Sequence, residues 1–182
     1  ILQKIGVENG LKDTLADGSS SILKVIDPFT FFCCFMKYGY EKRFALLSEL
    51  SKIDGWDITI PTGFDGVPSA QARAFRLFPN EEKRTSTTLP NLWELFKKAR
   101  EYNIDEESFD SVLAISGVGF AKLTQCLFYV DPNQYLPVVA QTKPFLEHSG
   151  VEIPSENWKS YKAFLDSLKD KGANPFYEIS HE

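Results

Sequence analysis

Leu113-Ala-Ile-Ser-Gly-Val-Gly-Phe-Ala-Lys-Leu-Thr-Gln-Cys-Leu-Phe128 is the stretch whose reading decides the fold. An apolar run ends in Gly117-Val118-Gly119, and a second helical pattern begins at once, with Leu123 and Leu127 on one face. Glycine tolerates backbone angles that a side chain forbids, so two glycines around one apolar residue let the chain reverse tightly between helices. Val118 is then expected to tuck beneath the turn. The helix that follows opens with backbone amides lacking intrahelical acceptors, a natural seat for a phosphate oxygen. An ordinary helix–helix turn would carry the same spacing.

On either side the pattern is helical. Upstream, Asp105-Glu-Glu-Ser places acids at a helix start. Before that, Leu92, Leu95, Phe96 and Ala99 recur at helical spacing, with Asn91 as the expected N-cap and Lys97, Lys98 and Arg100 at the negative end. Downstream, a short helix is expected over Thr142–Glu147. Tyr161, Phe164, Leu165 and Leu168 then mark an amphipathic helix that Gly172 stops. A last turn of helix is expected after Asn174-Pro175. Toward the N-terminus, Asp27 followed by Pro28 is a strong helix start before an apolar run containing Cys33 and Cys34. Glu41–Ile53 reads as a helix with Phe44, Leu47 and Leu50 inward and Lys42, Arg43 and Glu49 outward. Trp56–Pro61 alternates too briefly to require a strand. Pro61–Pro68 is turn-rich, anchored by Phe64 and Val67. Residues 1–17 read as a short amphipathic helix, and Asp17–Ser21 as a linker. The expected fold is therefore all-α. Residues 1–21 form a helix and linker, 22–182 a compact helical domain, and about 105–130 the helical hairpin.

Composition sets limits on function. A chain of 182 residues can bury one sizeable core. Its 43% hydrophobic and 25% charged content is that of an ordinary globular protein. A net charge of −5 argues against broad electrostatic nucleic-acid binding, so any such face must be a local patch. The densest basic stretch interleaves Arg73 and Arg76 with Phe75 and Phe78, and Lys83-Arg84 follows. Guanidinium groups suit phosphate recognition, although an exposed charged helix would look the same. Three cysteines in apolar runs read as small buried hydrophobes in a reducing cytoplasm. No run of about 18 apolar residues suggests a membrane span. The two histidines, His148 and His181, lie far apart, and neither a metal-ligand spacing nor a phosphate loop appears. Opening at Ile1 rather than Met suggests part of a longer protein.

Val112, Ile115, Gly117, Val118 and Gly119 fill a pattern that resembles the helix-hairpin-helix motif of DNA repair and replication proteins. Tyr135–Leu146 sits where helix-hairpin-helix glycosylases carry a Pro-Val-Asp-Thr-type segment. The catalytic residues of those enzymes do not carry over. Ala121 stands where the bifunctional members have lysine, with Lys122 one step round the helix. Val139 or Gln141 stands in place of the aspartate. Leu123 occupies a position where the motif takes alanine.

A second resemblance rests on an ordered set of landmarks. These are Asp27-Pro-Phe-Thr-Phe-Phe32, Pro61–Pro68, Leu92-Trp-Glu-Leu-Phe96, Gly117-Val-Gly with Lys122-Leu-Thr, Asp131–Pro137 and Phe176–His181. Together they resemble the N-terminal region of McrB-type AAA+ GTPases, the motors of modification-dependent restriction systems. The resemblance implies a DNA-sensing or assembly segment ahead of a motor that recruits a McrC-type nuclease.

The leading expectation is a non-catalytic DNA-binding module. Ser116, Gly117, Val118 and Gly119 would hold a backbone phosphate, with Lys122 and Lys143 supplying charge and Arg73 and Arg76 a second contact. No cofactor is expected beyond a monovalent cation on the hairpin carbonyls. The alternatives are an adaptor docking on the motor or nuclease, and a degenerate glycosylase-like enzyme using Asp110 or Asp131.

Overall fold

The computed structural model describes residues 1–7, 10–148, 150–172 and 176–181. Asn174 and Pro175 lie outside the described residues, and the turn of helix expected after them is present at Phe176–His181. The fold is mainly helical. A two-stranded antiparallel hairpin, β1 (Lys12–Thr14) and β2 (Ser20–Ile22), precedes α1 (Pro28–Met36) and α2 (Tyr40–Ser51). After a long irregular stretch and a 3₁₀ turn at Glu81–Lys83 come α3 (Thr88–Arg100), α4 (Glu106–Leu113) and α5 (Phe120–Val130). The chain closes with α6 (Lys143–His148), α7 (Trp158–Asp170) and α8 (Phe176–His181).

Helix starts follow the capping chemistry of the sequence. Asp27, Asp105 and Asn157 each accept a backbone N–H three residues on, satisfying a first-turn amide that the helix leaves open. The start of α3 departs from expectation. It begins at Thr88 after Thr87, not at Asn91, because Pro90 is accommodated within the first turn, where its missing N–H costs nothing. Around the central α1, the helices α3 and α5 pack against it and against each other, while α4 lies on α3 and α7. Phe29, Cys34, Leu92, Leu95, Phe109, Leu123 and Tyr161 form the middle of the core. All three cysteines are buried free thiols, and burial pushes the Cys34 thiol up to about 12. Cys33 of α1 meets Cys126 of α5 with 3.6 Å between sulfurs.

Residues 1–21 overturn the expected helix and linker. Gly6, Gly10 and Gly18 all adopt positive φ, which ends any helix through this segment. The alternation of exposed Lys12 with buried Leu11 and Asp13 is that of a strand. Asp17-Gly18 makes the reversal, and Asp17 accepts the Ser19 amide at 2.9 Å. Ile5, Val7 and Leu11 join the main core, so this segment is an integral part of it. At Gly10 a Cβ would overlap the Phe75 ring, which lets the N-terminal chain lie directly on that aromatic.

Arg43 is the second correction. Expected to face outward, it is wholly buried. Arg43, Leu46 and Leu50 share one helical face, so the core stripe of α2 is rotated by one residue from the one read off Phe44 and Leu47.

Asp27 is fully buried as well; its Oδ1 caps α1, while Oδ2 has no partner. Burial therefore raises its pKa above the ordinary value of 3.8. Between those two values the folded chain holds a proton that the unfolded chain has lost, so stability falls as pH rises through the window. Asp27→Asn keeps the capping oxygen and removes this titration. Urea midpoints at roughly pH 4 and pH 7 are expected to differ less in the variant than in the wild type. An undiminished difference would assign the pH dependence to other groups.

Candidate nucleic-acid interface

The turn between α4 and α5 has the local geometry its glycines suggest. Gly117 sits at φ +85°, Val118 is buried, and Ser116, Gly117 and Gly119 face outward. Added Cβ atoms at Gly117 or Gly119 would meet nothing within 4 Å. Gly119 caps α5 without a side-chain hydrogen bond, leaving the first-turn amides uncapped by any side chain. The two helices do not pack closely on each other; both lie on α3, with α4 also reaching α7 and α5 reaching α1, and Leu123 is fully buried where a close helix pair would take alanine.

Lys122, on the first turn of α5, folds back over the turn. Its ammonium donates to Gly117 O at 2.9 Å and to Arg76 O at 3.1 Å. Burial lowers its pKa, opposed by the nearby Cys126 and Cys33. A hairpin carbonyl that would coordinate a monovalent cation thus already accepts from an internal one. Lys122 therefore joins the hairpin to the arginine segment and keeps at most one donor for a ligand.

That arginine segment, residues 70–79, is irregular rather than helical. Phe75, Leu77 and Phe78 are buried, and the Leu77 amide donates to Thr30 Oγ1 at 3.1 Å. Arg76 is held on several sides. Its guanidinium donates to Lys12 O at 3.1 Å and Asn80 Oδ1 at 2.5 Å, and lies 3.7 Å from Asp13. Burial lowers its pKa, and the Asp13 charge works against that shift. Asp13 also pairs with Arg84 at 2.5 Å and accepts the Glu81 amide at 3.2 Å. One buried carboxylate thereby orients two arginines, and Phe78 lies beneath both guanidinium groups.

These elements enclose a cleft of about 300 Å³. Its walls are Gly10 and Lys12 from the N-terminal hairpin, the segment from Arg73 to Pro79, and Ser116, Gly117 and Lys122. Four cations line it: Lys12, Arg73, Arg76 and Lys122. No carboxylate stands among the described lining residues. This clustering of positive side chains in a chain of net charge −5 favours an anion, offset in part by Asp13 behind Arg76.

A family described as "Domain of unknown function (DUF8425)" matches residues 1–182. The chain belongs to this family. No curated protein and no solved structure matches it. No helix among the described residues is long and apolar enough to cross a membrane.

In this DUF8425 chain, five expected site residues come together: Arg73, Arg76, Ser116, Gly117 and Lys122. Val118 supports the turn from inside, and Gly119 lies at its outer edge. Lys143 starts α6 as an exposed residue and does not line the cleft. Arg76 and Lys122 depart from the free phosphate ligands expected of them, since internal acceptors hold both. Sequence reasoning missed Gly10, Lys12 and Asp13 as parts of the site, and it placed Arg84 in the basic stretch without foreseeing its pairing with Asp13. The Asp17-Gly18 hairpin signal, flanked by alternating residues, was the available clue for the first three. Asp131 accepts from Tyr102 at 2.7 Å; neither it nor Asp110 lines the cleft. Of the two residues expected in place of the glycosylase acid, Val139 is buried and Gln141 is exposed.

Proposed function

We propose that this chain is a DNA-recognition module, non-catalytic in itself, of a McrB-like restriction or phage-defence protein. The glycine turn and its basic cleft hold the nucleic-acid backbone. One observation carries this reading: four cations and an outward-facing glycine turn border a cleft with no acidic residue among its described lining. The McrB-like context rests on the ordered sequence landmarks, with a AAA+ motor and a McrC-like nuclease as the corresponding partners. Backbone contacts position a duplex without reading its sequence. Fluorescence anisotropy with a duplex at about 50 and 200 mM salt tests it. Binding is expected at the lower salt and should weaken by about tenfold or more at the higher. No binding at the lower salt would overturn the proposal.

A second reading is favoured by a different face. An apolar groove of about 530 Å³ is walled by Phe31, Phe32, Trp56, Trp93 and Phe96. Trp93 and Trp56 are exposed there. Apolar exposure of this kind suits protein docking, so the chain can also serve as an adaptor for the motor or nuclease. Light scattering of the mixed chains distinguishes the two readings: a docking module adds mass to its partner without DNA.

A further inference from the structure

We infer that the basic cleft takes a phosphomonoester in preference to an internal phosphodiester. The ligand would be the 5′-phosphate at the end of a nucleic-acid strand or a free nucleoside monophosphate. The inference rests on the nucleic-acid reading above and narrows it. Three walls bound the cleft: the N-terminal hairpin, the arginine segment and the glycine turn. A terminal phosphate, with chain on one side only, reaches deeper between these walls than a phosphate within a strand, which carries chain on both.

Charge points the same way. A phosphomonoester carries about −1.5 to −2 and three terminal oxygens, against the single charge of a diester. Asp13 behind Arg76 offsets part of that guanidinium's charge, but Lys12, Arg73 and Lys122 remain, with no carboxylate among the described lining residues, and exceed what one diester neutralises. Two of the four cations are fixed in advance, Arg76 by Lys12 O and Asn80, Lys122 by Gly117 O. Fixed donors lose little freedom when a ligand arrives. The other two, Lys12 and Arg73, are exposed and can close on the ligand from the rim. The exposed Ser116 hydroxyl adds a donor beside them.

The test uses the full chain and 3′-labelled single strands of roughly twelve nucleotides, identical except for a 5′-phosphate or a 5′-hydroxyl, beside a closed circular duplex. The phosphorylated strand is expected to bind about tenfold more tightly, and Arg73→Glu should abolish that preference. Melting curves check that this exposed-site variant remains folded. Displacement by adenosine monophosphate but not adenosine would identify a free nucleotide as a sufficient ligand. Displacement only by a phosphorylated strand would assign the cleft to strand ends; both outcomes support the inference. Equal affinity for the two strands overturns it while leaving backbone binding intact. Failure to bind either strand or the circle overturns both.

Discussion

Replacing Arg43 by alanine is expected to cost about 3–5 kcal/mol of folding stability, read as a lower urea midpoint and a melting temperature about 10 °C lower. The guanidinium is completely buried, and no carboxylate pairs with it among the described residues. Instead Nε donates to Tyr38 O at 2.8 Å, and Nη2 donates to Met36 O at 2.9 Å and Ser69 Oγ at 2.6 Å. The rings of Tyr40 and Phe64 lie at 5.3 Å. One nitrogen, Nη1, has no partner, so the group is not an economical way to stabilise a core. Its role is to join the end of α1, the start of α2 and the loop before Arg73. Truncation leaves Tyr38 O without this donor and opens a cavity under Phe64. Met36 O loses less, because it also accepts the Ala70 amide at 3.0 Å. Arg43→Met fills much of the space and should lose less than alanine. An alanine variant within about 0.5 kcal/mol of the wild type would contradict this account.

The double charge reversal Lys12→Glu, Arg73→Glu is expected to reduce affinity for duplex DNA by about a hundredfold at low salt. Both side chains are exposed rim residues, so the fold should be retained. The change is four units of charge at the entrance of a cleft whose other cations, among the described residues, are Arg76 and Lys122. The slope of log affinity against log salt should become shallower by about one to two, the sign of lost phosphate contacts. The same reversal at Lys143, remote from the cleft, should have little effect. If Lys143→Glu weakened binding as much as the double variant, the interface would lie on α6.

The helices were readable because local chemistry dictates them. Asp27-Pro28, Asp105 and the apolar stripe of α7 each specify a start or a buried face with no help from distant residues. The turn at Gly117 was legible for the same reason. The site was legible only in halves. Arg73 and Ser116 could each be named, but their meeting depends on the Lys122 bond to Arg76 O across 46 residues. Asp13 is 71 positions from Arg84, and nothing in either neighbourhood advertises the pair. The N-terminal segment misled because its apolar residues fit a helical period, whereas three positive-φ glycines forbid one. Arg43 misled because a charged residue on a helix is normally solvated, and its acceptors come from loops whose paths no periodicity predicts.

The N-terminal hairpin also bears on how the molecule can be divided. A shortened version starting near residue 22, where composition invites a cut, would discard Asp13 and leave Arg76 and Arg84 facing each other with no acid between them. It would also strip one wall from the cleft and uncover Phe75. The N-terminal hairpin is structural masonry, and a derivative trimmed of it cannot stand in for the chain.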